Sequence, residues 1–81
     1  MADGGATGQD AEDRARRAAD RLALALEESG FDVGRAFPLL IGAVDRDGAP
    51  MVELGRVTDE VASELADVLT RAARGGLDPA R

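Results

Sequence analysis

Residues 39–45 (LLIGAVD) and 49–54 (APMVEL) are two short apolar runs separated by Arg46-Asp47-Gly48. Runs of strand length on either side of a glycine-containing turn predict a β-hairpin with a three- or four-residue loop, Gly48 taking the left-handed position. This prediction constrains the rest of the chain. A two-stranded hairpin is marginal in water and needs further strands or a covering layer. The chain has 81 residues, enough for one domain. The cover must come from the flanking segments or from another molecule.

Both flanks read as amphipathic helices. The first is expected from Asp10 to Ser29, with Asp10 as N-cap and Glu12 and Asp13 in the first turn, where the helix dipole favours acids. Ala11, Ala15, Ala18, Ala19, Leu22, Ala25 and Leu26 share one face. Asp10–Arg14, Glu12–Arg16 and Asp13–Arg17 have the favourable acid-before-base i,i+4 order. Gly30 is placed to end the helix, with Phe31 making the apolar contact that follows. Leu24 points away from the stripe, into the charged face. The second helix is expected to open at Thr58 as N-cap, with Asp59 and Glu60 in its first turn and Val57 stapled against Ala62. Val61, Ala62, Leu65, Val68, Leu69 and Ala72 form its apolar face, and Gly75 ends it. Residues 31–33 read as a short extended piece, and Gly34, Arg35 and Pro38 as a connector. Pro50 implies that the second strand is not fully laddered at its start.

The expected fold class is therefore α+β, a small αββα domain over residues 10–74. Its antiparallel sheet has two strands, which a dimer would extend to four. Residues 1–9 and 75–81 are glycine-rich and lack apolar periodicity, and they read as disordered tails. Residues 1–9 also lack a basic stretch followed by an apolar one, so no targeting segment is read there. No run approaches the roughly 20 apolar residues of a membrane span. The expectation is a cytoplasmic protein without membrane contact.

Missing side chains narrow the chemistry. The sequence contains no His, Cys, Lys, Tyr, Trp or Asn. That removes imidazole and thiolate metal ligands, Schiff-base chemistry and most general bases and nucleophiles. An acid pair acting on glycosides would still need an enclosing pocket, for which a core this small has little room. The chain is expected to be non-enzymatic, with no cofactor and no metal. All ten basic residues are Arg, which together with the abundance of Ala and Gly suggests a GC-rich bacterial coding sequence of the actinobacterial kind. The net charge of −6 argues against phosphate-backbone binding. Arg14, Arg16, Arg17 and Arg21 read as a solvated, salt-bridged face, since no aromatic residue interleaves them for base stacking. Asp45-Arg46-Asp47-Gly48 fails as a calcium loop, because the ligand positions before and after it are Ala43 and Leu54. Gly34, Gly42 and Gly55 do not form a phosphate loop. Gly42 reads instead as a site of close backbone packing.

One feature favours interaction. The first strand is apolar on both sides, with Leu39, Ile41 and Ala43 on one and Leu40 and Val44 on the other, and Met51 lies opposite the Val52/Leu54 face. Two single-sided helices cannot cover both. A surplus apolar face marks an interface or a further layer. The candidate interaction residues are Leu24, Leu39, Leu40, Ile41, Val44 and Met51, and the expected partner is a second copy, joined through the hairpin, or another protein.

Element order, and the path through Leu54-Gly55-Arg56-Val57-Thr58 into an acid-started helix, give a further lead. Over roughly residues 20–74 the chain resembles the small αββα docking domains at the start of some nonribosomal peptide synthetase subunits. That resemblance implies docking to a larger biosynthetic enzyme. A third alternative is an accessory protein holding a small apolar ligand between helices and sheet.

Overall fold

The computed structural model describes the backbone of residues 3–75 and the side chains of residues 9–75. Helix α1 (Asp3–Glu28) is followed by a short helix α2 (Val33–Ala36), strands β1 (Ile41–Val44) and β2 (Pro50–Glu53), and helix α3 (Asp59–Arg74). The architecture is a small α+β domain with one two-stranded antiparallel sheet.

The backbone of α1 is helical from Asp3, so Asp10 lies within the helix and is not its cap. No proline interrupts the segment before Asp10, and extending a formed helix costs far less than starting one. The expectation for residues 75–81 lies, apart from Gly75, outside the described residues. The end of α1 follows the expected chemistry. Gly30 has φ 104°. The Phe31 N–H donates to the Leu26 carbonyl at 3.0 Å and the Gly30 N–H to the Glu27 carbonyl at 3.0 Å, the paired bonds of a Schellman stop.

The segment after it is not extended. Val33–Ala36 forms one helical turn, with the Ala36 N–H donating to the Asp32 carbonyl at 2.8 Å and the Phe37 N–H to the Val33 carbonyl at 2.8 Å. The turn carries Phe37 back onto Phe31, and the rings meet edge to face with centroids 5.5 Å apart. Leu26, Phe31 and Phe37 are the buried centre of the core, packed by Leu22, Val33, Ala36, Leu40, Val57, Val61, Leu65 and Val68.

The rest of α1 packs through small side chains. Ala11, Ala15 and Ala19 are buried, whereas Ala18 and Ala25 are exposed, so the covered stripe is narrower than the apolar pattern. Asp13–Arg16, at 2.8 Å with i,i+3 spacing, is the one ion pair among the described residues, in place of the three expected i,i+4 pairs. Both partners are largely solvated, a setting in which an ion pair adds little.

Helix α3 begins where expected. Thr58 is extended at φ −73°, ψ 162°, and its hydroxyl accepts from the Val61 N–H at 3.1 Å. Val57 packs on the core cluster, and Ala62 is exposed. Gly75 closes the helix at φ −85°, without a left-handed turn. No helix among the described residues is long and apolar enough to cross a membrane.

Candidate interaction surface

The hairpin is shaped by Asp45. Its Oδ1 accepts from the Asp47 N–H at 2.9 Å and from the Ala49 N–H at 2.9 Å, an Asx-type turn. The Gly48 N–H donates to the Asp45 carbonyl at 2.9 Å, and the Asp45 N–H donates to the Ala49 carbonyl at 3.0 Å. Gly48 has φ 86°. This is the geometry of a three-residue loop, a type I turn closed by a left-handed glycine.

The turn sets the register: Ile41 with Glu53, Gly42 with Val52, Ala43 with Met51 and Val44 with Pro50. Successive side chains alternate between faces. Gly42, Val44, Pro50 and Val52 share one face, and Ile41, Ala43, Met51 and Glu53 the other. Helix α1 covers the first of these. A Cβ on Gly42 would lie 2.6 Å from the Ala15 carbonyl carbon and oxygen, so strand and helix backbones touch. No helix among the described residues covers the second face. Ile41 is 57% exposed and Met51 48%.

The six residues singled out from the sequence divide accordingly. Leu24, Leu39, Ile41 and Met51 are exposed. Leu39 lies against Gly55, where a Cβ would come closer than any van der Waals contact allows. Leu40 packs on the core cluster and does not belong to the surface, because the turn through Phe37 directs it inward. Val44 is half-buried on the α1 side, at the edge of the sheet. Leu24 sits on α1, away from the hairpin strands.

Two exposed leucines escaped the sequence reading. Periodicity places Leu54 on the Val52 face and Leu69 on the apolar face of α3, yet both are half or more exposed. Leu69 borders the apolar arc of α3, and only Val61, Leu65 and Val68 of that arc reach the core. Periodicity shows that an arc is apolar but not how much of it a neighbour covers.

A two-stranded sheet has two open edges, and here they differ. The Asp45–Ala49 bond fixes the alternation of the antiparallel ladder, so Ala43–Met51 and Ile41–Glu53 are the hydrogen-bonded pairs. The backbone groups of Gly42 and Val44 therefore point away from β2, along the free edge of β1. On β2 the corresponding positions are Pro50 and Val52, and Pro50 has no N–H to offer. An open cleft of about 440 Å³ runs along the β1 edge, lined by Glu12, Arg16, Ile41, Gly42, Ala43 and Val44. A smaller one of about 290 Å³ lies on the β2 side, beside Arg14, Ala15, Ala18, Pro50, Met51 and Val52. Helix α1 thus lies across the hairpin, with Glu12 and Arg16 beside the β1 edge. No local signal marks this placement, since the Glu12–Arg16 spacing reads equally well as a solvated helix pair.

No group of three or more acidic side chains among the described residues is arranged to hold a metal ion. No family model matches the chain, and no curated protein or solved structure matches it either.

Proposed function

We propose that the chain is a non-catalytic protein-interaction module that associates with a second copy of itself through its hairpin. One observation carries the reading: the hairpin is covered on one face only, leaving Ile41 and Met51 exposed on the other beside the open β1 edge. Exposed apolar side chains clustered on a sheet next to unpaired backbone groups favour association. The acidic balance and the solvated arginines give no support to nucleic-acid binding. The contact between Gly42 and the Ala15 backbone leaves no space there for an apolar ligand between α1 and the sheet.

The test is mass against concentration, by light scattering and sedimentation from low micromolar to millimolar protein. A concentration-dependent dimer is expected. Ile41→Glu should keep the helical circular dichroism and weaken the dimer, whereas Leu40→Glu, which places a charge in the core cluster, should unfold the domain. A wild-type chain that stays monomeric over the whole range refutes self-association.

A further inference from the structure

We infer that two copies join along the free edge of β1, related by a two-fold axis at Ala43, to make one four-stranded antiparallel sheet with both α1 helices on the same face. This rests on the self-association proposed above and specifies how it is made.

The edge itself comes first. Gly42 and Val44 present backbone N–H and carbonyl groups outward. Antiparallel pairing across a two-fold axis at Ala43 sets Gly42 against Val44 of the partner subunit, and Val44 against Gly42 of the partner subunit, in hydrogen-bonded register. The edge of β1 carries no proline, charge or bulge, the usual devices that protect an edge. The edge of β2 carries Pro50, so it is the poorer template.

Helix spacing comes next. Helix α1 lies across its own hairpin, its backbone closest to β1 at Gly42, with Glu12 and Arg16 beside β1 and Arg14 and Ala18 beside β2. Joining two hairpins through β1 puts their midlines two strand spacings apart, about 9.6 Å. Both α1 helices then lie side by side on one face of the sheet.

Charge decides the occupant. Glu12 and Arg16 lie on the flank of α1 beside the β1 edge. In a two-fold, antiparallel pair of helices Glu12 faces the partner subunit's Arg16, and Arg16 faces the partner subunit's Glu12. The flank is complementary to itself. Both residues are exposed in the single chain, and Arg16 is held there only by the solvated pair with Asp13. On the outer face Ile41 comes beside the partner subunit's Asp45 and the two Ala43 residues meet. The β1 half of the exposed apolar face thereby gains lateral neighbours from the partner subunit.

The experiment exchanges charges at exposed positions, so folding is spared. Glu12→Arg and Arg16→Glu are each measured by sedimentation equilibrium, then mixed with one another, and then combined in one chain. Each single variant places like charges across the axis and should raise the dimer dissociation constant by about tenfold or more. An equimolar mixture of the two should form a heterodimer of near wild-type strength, and the double variant should regain a homodimer. Amide exchange gives an independent readout: the Gly42 and Val44 N–H groups should become protected as protein concentration rises. If wild-type protein dimerises but the charge exchanges have no effect and these amides stay unprotected, edge pairing is overturned while association through the hairpin stands. A wild-type monomer overturns both.

Discussion

Gly42 and Ala15 meet backbone to backbone, the strand so close to the helix that a methyl group on Gly42 would fall 2.6 Å from the Ala15 carbonyl. Neither side has a flexible side chain that could give way. The alanine stripe Ala11, Ala15, Ala19 is the other half of the same fit, because larger residues there would hold the sheet off.

Gly42→Ala is therefore expected to destabilise the domain by about 1–3 kcal/mol, the cost of overpacking a tight contact. Thermal or urea unfolding followed by circular dichroism measures it. A neutral or stabilising outcome would mean that helix and sheet can separate without loss. Gly34→Ala, whose Cβ would lie 3.8 Å from Asp32 Oδ1, is the control for any general effect of replacing a glycine.

Phe37→Ala should come close to unfolding the protein. Phe37 is 5% exposed and stacks edge to face on Phe31. Truncating a buried Phe costs about 3–5 kcal/mol, against a total of roughly 4–12 kcal/mol for a domain of this length. Loss of the urea transition baseline at room temperature, or a large fall in its midpoint, is the expected result. Phe37→Leu should recover much of the loss.

Thr58→Ala removes the hydroxyl that accepts from the Val61 N–H and should cost about 1 kcal/mol. Thr58→Ser retains the acceptor and should be near neutral. Comparing urea midpoints of the three proteins checks both statements together.

At the hairpin, Asp45→Ala deletes one oxygen that serves two backbone donors, Asp47 and Ala49. A loss of about 1 kcal/mol is expected. Asp45→Asn keeps an amide oxygen in the same place and should lose much less. Equal losses in the two variants would point to the charge of Asp45 rather than its turn geometry.

Much of this fold was legible in local chemistry. The Gly30 stop, the Thr58 cap and the left-handed Gly48 follow from side chains and backbone freedom within a few residues, and each stands where expected. Alternation likewise puts Ile41 with Ala43 and sets Met51 opposite Val52, while only the register of the turn brings Met51 onto the Ile41 face. What sequence could not supply is relative placement. Nothing local marks residues 33–36 as a helical turn, because that turn exists to bring Phe37 onto Phe31. Leu40 was grouped with surface residues for the same reason. Which flank of α1 lies beside β1, and so what Glu12 and Arg16 can reach, depends on how the helix is seated on the sheet. The i,i+4 arithmetic also misled at Arg16, whose partner is Asp13, since solvated arginines choose among nearby acids at almost no cost.

Helix α3 has no buried residue. It is held by Val61, Leu65 and Val68, all half-exposed, against a core whose centre belongs to α1 and the α2 segment. Stability is then unevenly distributed along the chain. Since α3 buries none of its own side chains, its amides are expected to exchange with solvent by a local route, ahead of those of α1. Each such excursion bares Phe31 and Phe37. A protease that cuts within α3 thus samples the protein in its native ensemble, while α1 and the hairpin remain folded.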